Sequence, residues 1–207
     1  MERIPRNPKE PARDYALRFL KHNIINLELK PGSMVSASDL ADMAGLSKTP
    51  VREAMQELEK IGILEILPQA GSRISFINYD VIHESSFIRI ALETKVVAMA
   101  CDCITPEKEA GFVEVIRRQE QCLERGDNDH FLELDHLFHR QLYILTGRML
   151  TNQMLERCLW HFDRLRRISF NAVSIAQFVN DHKDIFEAIR ARDKKLAKKL
   201  VPRHLTR

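Results

Sequence analysis

Apolar residues at Tyr15, Leu17, Phe19, Leu20, Ile24, Ile25 and Leu27 recur at the spacing of one helix face and predict a helix over 14–27. Lys30-Pro31-Gly32-Ser33 has turn chemistry and stops it. A short second helix is predicted over 38–44, with Leu40, Ala41 and Met43 inward and Gly45 at its end. Ser47 opens a third, running to about Ile61 with Val51, Ala54, Met55 and Leu58 inward, and Gly62 ends it. Two short apolar runs, Ile63-Leu64-Glu65-Ile66-Leu67 and Ser72-Arg73-Ile74-Ser75-Phe76-Ile77, then flank Pro68-Gln69-Ala70-Gly71. That reads as strand, turn, strand. Three helices and a hairpin predict a winged helix-turn-helix over 13–78, preceded by a proline-rich, flexible basic arm over 1–12.

Beyond Asn78 no further strand is predicted. Helical patterns cover 79–104, 105–125, 128–146, 149–170, 174–191 and 193–206, with Pro106 in a first turn and Gly126 and Gly147 as stops. The fold class is therefore mostly α: an N-terminal winged helix-turn-helix plus a C-terminal antiparallel six-helix bundle over 79–207.

Composition changes this picture little. Lys and Arg outnumber Asp and Glu by a net charge of only +3, too little to argue for nucleic acid by itself. The distribution says more, since Arg3, Arg6, Lys9, Arg13, Arg18 and Lys21 make the first residues basic, and 190–207 is a second basic run. No apolar run approaches the ~20 residues of a membrane helix. The first residues lack the apolar core of a signal peptide, so a cytoplasmic protein with no membrane partner is expected. Cys101, Cys103, Cys122 and Cys158 do not form a paired zinc pattern and read as reduced packing residues.

The chemistry of DNA reading concentrates in Ser47-Lys48-Thr49-Pro50-Val51-Arg52. The amino end of a helix, with its outward N–H groups and positive dipole, suits a phosphate. Ser47 and Thr49 can donate to phosphate, Lys48 adds charge, and Arg52 can reach a base edge or a phosphate. Pro50 needs no N–H partner in a first turn. Gly71 at the wing would let backbone approach a minor groove, and Arg73 could touch phosphate or be a solvated charge. Alone, the segment could equally be an ordinary capped amphipathic helix.

The surrounding residues favour the sharper reading. Leu29-x-Pro31-Gly32, Leu40-Ala41, Gly45 through Ala54, Leu58, Gly62-Ile63-Leu64, Pro68 and Gly71 together resemble the GntR family of bacterial regulators. The resemblance implies that Ser47 to Arg52 opens the recognition helix. Lys48 stands where the family usually has Arg, and a lysine cannot make the forked contact of Arg to guanine.

The second half resembles the FCD ligand-binding domain of the FadR-like branch of that family, in its VanR-like six-helix variety. The residues that show this are Arg89-x-x-Leu92-Glu93, Asp135-x-x-x-His139, His182-x-x-Ile185-x-x-Ala188-Ile189, and Asp193-x-x-x-Ala197 with His204. The resemblance implies a divalent metal (Zn, Ni, Mn or Fe) held by Asp135, His139, His182 and His204. Asp135 and His139 are four apart and share a helix face. An Asp and a His so placed are also a common surface pair. His136 is rotated away from that face, His161 could stand behind the ligands, and His22, His83 and His130 read as exposed. Pro202 predicts a kink or an end in the last helix just before His204. Arg89 is a candidate effector-binding cation, equally a structural partner of Glu93.

The expected function is a homodimeric, DNA-binding transcriptional regulator, in the sense of a repressor. A small organic acid at or beside the metal would shift the placement of its two reading heads on double-stranded operator DNA. A metal sensor and a metal-free organic-acid sensor are the alternatives. A metalloenzyme is disfavoured, because no general base or nucleophile accompanies the open metal site.

Overall fold

A computed structural model describes residues 4–169 and 175–207. Residues 1–3, with Arg3, and 170–174, with the expected junction of two helices, lie outside the described residues. The described chain forms α1 (Ala12–Ile25), β1 (Met34–Val35), α2 (Ala37–Ala44), α3 (Lys48–Lys60), β2 (Leu64–Leu67) and β3 (Gly71–Ile74). Then follow α4 (Tyr79–Cys103), α5 (Pro106–Arg125), α6 (Asn128–Leu145), α7 (Met149–Cys158), α8 (Trp160–Ser169), α9 (Ile175–Arg190) and α10 (Lys194–Leu205). The chain divides into two compact units, one of residues 1–79 with Trp160–Arg167, the other of Asp80–Leu159 with Ile168–Arg207.

The first unit is built on α3. Val51, Ala54, Met55 and Leu58 are buried at helical spacing, against Phe19, Leu20 and Ile24 of α1 and Leu40 and Ala41 of α2. Burying each large side chain of this kind contributes roughly 1.5–3 kcal/mol. Ser36 caps α2 by accepting from the Asp39 N–H at 3.1 Å, and Gly45 ends it in the left-handed conformation. In place of Met43, which is exposed, Ala44 completes the inward face of α2. The wing hairpin pairs Leu64 with Ile74 and Leu67 with Gly71. β1 adds a third strand in the order β1-β3-β2. Gly32 joins β1 to this sheet, its N–H donating to the Ile74 carbonyl at 2.7 Å. With φ at +83° and the Phe76 ring 2.7 Å from where a Cβ would stand, no other residue fits there.

The described part of the basic arm, residues 4–11, makes contacts with α1. Ile4 packs on the core, the Tyr15 hydroxyl donates to the Ile4 carbonyl at 3.1 Å, and Arg18 grips Glu10 and the Pro5 carbonyl. Three polar contacts and one apolar anchor link residues 4–11 to α1 and the core.

The helix expected over 149–170 is two helices, broken at buried Leu159 without a proline or glycine to announce it. Most of the piece after the break, Trp160–Arg167 of α8, belongs to the first unit. Trp160 is a member of that unit's core, with the Lys21 ammonium 4.8 Å above its ring. Arg164, fully buried, donates to the Ser75 carbonyl at 2.7 Å and to His161 Nδ1 at 2.7 Å. His161 Nδ1 also accepts from the Asn78 N–H at 3.2 Å, so the ring stays neutral. Burial, with the Arg164 charge, pushes its pKa from 6.5 down to about 4.

The second unit holds the remaining helices. Thr105 and Pro106 start α5, Asp127 caps α6, and Asp193 caps α10 by accepting from the Leu196 N–H at 2.9 Å. Phe112 of α5 meets Phe138 of α6 edge-on at 5.6 Å and stacks on Phe186 of α9 at 5.3 Å, joining three helices through one aromatic cluster. α10 continues through Pro202 to Leu205 and buries His204, so the proline does not displace that residue. All four cysteines are free thiols, two of them buried.

Two outcomes are expected. Trp160→Ala should destabilise the first unit by about 3–5 kcal/mol in chemical denaturation. His161 resists a proton down to about 4 when folded but takes one below 6.5 when unfolded. Its stabilising neutrality is thus complete above 6.5 and lost as pH falls through that window. His161→Gln should flatten the acid limb of a stability-versus-pH curve.

Candidate DNA-reading surface and candidate metal centre

Ser47 precedes α3 in extended conformation, yet its side chain makes no cap hydrogen bond. Of the second and third helical residues, whose N–H groups can donate to such a cap, Pro50 has no N–H and leaves only that of Thr49. The hydroxyl is exposed rather than spent on the helix, together with Lys48, Thr49 and Arg52. No acidic residue stands in the first turn, so nothing neutralises the positive end of the helix dipole. Arg52 lines a groove of about 400 Å³ between α3 and the wing, with Gln56, Leu67 and Gly71 among its walls.

Gly71 sits where the wing re-enters the sheet with φ at +99°. A Cβ there would meet only ordinary contacts at 3.7 Å, so conformation rather than space calls for glycine. Arg73 faces its strand partner Glu65 and donates to it at 2.6 Å, with its guanidinium 5.5 Å from the Phe76 ring. The cross-strand pair is the contact the structure gives it.

In the second unit Asp135, His139, His182 and His204 come together, all buried, with one ligand atom from each within 4.8 Å of the others. α6 supplies two of them one turn apart, α9 and α10 one each. His204 Nε2 stands 3.1 Å from His139 Nε2 and 3.2 Å from His182 Nε2, and Asp135 Oδ1 lies 3.5 Å from His182 Nε2. The Phe138 ring stacks on His182 at 3.9 Å, and Phe178 meets His204 edge-on at 5.7 Å.

Each imidazole is also held at its other nitrogen. His139 Nδ1 donates to Glu93 Oε2 at 2.6 Å, His182 Nδ1 bonds Gln119 Oε1 at 2.9 Å, and His204 Nδ1 donates to Asp181 Oδ2 at 3.4 Å. Arg89 donates to the second oxygen of Glu93 at 2.8 Å, the i,i+4 pairing open to it from sequence. Burial is the strongest single influence on Glu93 and opposes its ionisation, but the charges and hydrogen bonds of Arg89 and His139 together outweigh it and hold the carboxyl at about 2. Burial pushes His139 down to about 4, so it is a neutral imidazole at neutral pH. Carboxylates only accept, so His139 and His204 carry their protons on Nδ1 and face each other with Nε2 lone pairs. Such a donor set fits a divalent cation.

His136 and His161 are not in this group. His161 bonds Asn78 and Arg164 within the first unit and does not stand behind the ligands. His83 and His130 are exposed as expected, and His22 is half-buried. Sequence reading singled out Glu93 only as a partner of Arg89 and passed over Gln119 and Asp181. Asp181 adjoins His182 in the chain but serves His204 through α10, a pairing no local spacing reveals.

A winged helix-turn-helix unit and, separately, a helical unit with a buried polar centre are the parts of a DNA-binding regulator. Residues 16–74 match the gntR family of bacterial regulatory proteins and residues 84–207 match the FCD domain. The chain belongs to that family and is a transcriptional regulator, not an enzyme. It is 31% identical over 200 residues to the HTH-type transcriptional repressor RspR of Escherichia coli strain K12, covering 96% of this chain and 88% of that one. A probable D-xylose utilization operon transcriptional repressor of Paenarthrobacter nicotinovorans is 27% identical, covering 90% of this chain and 82% of that protein. Among solved structures, E. coli McbR/YncC superposes with a TM-score of 0.83 at 24% identity, covering 95% of this chain and 94% of that one, which shows the fold. Among the described residues no helix is long and apolar enough to cross a membrane.

Ser47→Asp should separate stability from reading. The added charge complements the dipole of α3 and should stabilise it by about 0.3–1 kcal/mol. It also repels phosphate, so DNA affinity in a gel shift should fall while the melting temperature does not.

Proposed function

We propose that the protein is a homodimeric repressor whose hold on operator DNA is set by a small organic acid bound at or beside a divalent metal ion in the helical unit. One observation supports this above the others: the buried convergence of Asp135, His139, His182 and His204. Two imidazole lone pairs 3.1 Å apart repel each other unless a cation lies between them. A proton is a poor occupant of His139, whose pKa burial pushes down to about 4. A metal ion suits the spacing better. Ligand atoms at about 2.0–2.1 Å from one tetrahedral ion stand about 3.3–3.4 Å apart, against 3.1, 3.2, 3.5 and 4.0 Å here, a spread that straddles that value. One carboxylate and three imidazoles suit Zn²⁺, Ni²⁺, Mn²⁺ or Fe²⁺, and such an ion supplies a Lewis-acidic anchor for a carboxylate oxygen.

Charge favours an anionic effector. Asp135 alone does not cancel a divalent ion, while Glu93 is balanced by Arg89 and Asp181 by Arg203 and Arg207. The loaded pocket is net positive. The Arg89 charge is felt at His139, where it adds to the depression caused by burial, and this positive field serves the effector carboxylate. On the reading side, Ser47, Lys48 and Thr49 hold phosphate at the amino end of α3, Arg52 reaches base edges, and Gly71 brings the wing to the minor groove. Arg73 stays on Glu65 and steadies the wing that approaches phosphate. Two copies would read the halves of a near-palindromic operator. The repressor names of RspR and of the D-xylose operon protein favour that sign of regulation.

Elemental analysis with native mass spectrometry of the purified protein should report one divalent metal per chain and a dimer mass. Asp135→Ala and His139→Ala should lose metal and carboxylate affinity together. Carboxylate binding that survives metal loss would instead make this a metal-free acid sensor. Arg52→Ala should weaken operator binding about 10- to 100-fold and leave the dimer intact; wild-type affinity would overturn the assignment of the reading helix.

A further inference from the structure

The three imidazoles of the centre differ in what holds them. His139 and His204 each face a carboxylate, which can only accept. His182 faces an amide, which can accept through oxygen or donate through nitrogen. A wrong orientation of that amide would place a donor against His182 Nδ1 and force the ring proton onto Nε2, where it would block a metal. Something must therefore fix which way Gln119 points.

The structure shows what does. Gln119 is fully buried on α5, and its Nε2 donates to the Leu134 carbonyl at 3.0 Å. A backbone carbonyl only accepts, so the amide nitrogen is committed to it and the oxygen is left for His182, at 2.9 Å. Leu134 immediately precedes Asp135 in α6. One amide thus ties the backbone beside one ligand to the ring of another.

We infer that Gln119 is a positioning residue for the centre: pinned by the Leu134 carbonyl, it selects the His182 tautomer that carries its proton on Nδ1 and presents Nε2 as a lone pair toward Asp135 and His204. The inference rests on the metal reading above and adds a residue that touches no ion. Partners of this kind typically matter by 10- to 100-fold in metal affinity. The contribution is specific to chemistry rather than volume. A methionine at 119 fills about the same space but cannot donate to the Leu134 carbonyl and accepts only weakly through sulfur, so His182 loses its fixed acceptor. A glutamate there can keep both contacts, its protonated oxygen donating to Leu134 and its carbonyl oxygen accepting from His182.

The test uses full-length, metal-free protein titrated with Zn²⁺ in competition with a chromophoric chelator, alongside ¹⁵N NMR of labelled histidines. In the wild type, His182 should be the Nδ1–H tautomer before any metal is added. Gln119→Met should lower Zn²⁺ affinity about 10- to 100-fold and mix the His182 tautomers, and Gln119→Glu should restore both. Wild-type Zn²⁺ affinity in Gln119→Met overturns this inference and leaves the metal reading standing. Wild-type protein that takes up no Zn²⁺ overturns the metal reading and this one with it. If Gln119→Met does not fold, the wild-type tautomer decides, and an Nε2–H ring at His182 refutes the role.

Discussion

Three imidazoles turned toward one another and toward Asp135 in a buried space set the terms for the whole helical unit. Lone pairs at such distances are unfavourable in a low dielectric unless a cation gathers them. The arrangement persists because each ring is restrained elsewhere: by Glu93 and Arg89 on α4, by Gln119 on α5, and by Asp181 on α9. The centre and its supports therefore reach five helices. Apolar packing such as the Phe112, Phe138 and Phe186 cluster fixes where those helices lie, and the polar centre fixes how they are rotated.

The reading unit follows the opposite logic. Its core is apolar and closed, and its functional atoms are those the fold leaves unspent. Pro50 is the clearest case. It removes one of the two N–H groups a capping serine can use, and Ser47 is left uncapped and exposed at a helix end with no acidic residue in its first turn. The local sequence thus forgoes a stabilising contact of roughly 1 kcal/mol and keeps a donor facing outward.

Legibility from sequence divides along the same line. Helical periodicity placed α1, α3, α5, α9 and α10 within a few residues, because each has an apolar face and a chemical boundary such as the cap Asp193 or the stop Gly126. β1 was missed since two residues have no period. The break at Leu159 was missed because no proline or glycine marks it. Resemblance to a family brought the four candidate ligands forward, and the fold gathers them. Gln119 and Asp181 were invisible, because a glutamine at a buried helical position looks like any other until the backbone carbonyl it serves is in place.

The discontinuity of the reading unit has a consequence for anyone treating the two halves as interchangeable modules. Trp160 and Arg164 are contributed from far along the chain, after four helices of the other unit, yet one completes the core behind α1 and the other grips the strand end at Ser75. A chimera that grafts residues 1–79 onto a foreign sensory domain would inherit a reading head with a missing wall. Recombination between relatives would succeed only where the recipient supplies a segment able to fill the place of α8, so the effective unit of exchange is larger than the sequence boundary near residue 79 suggests.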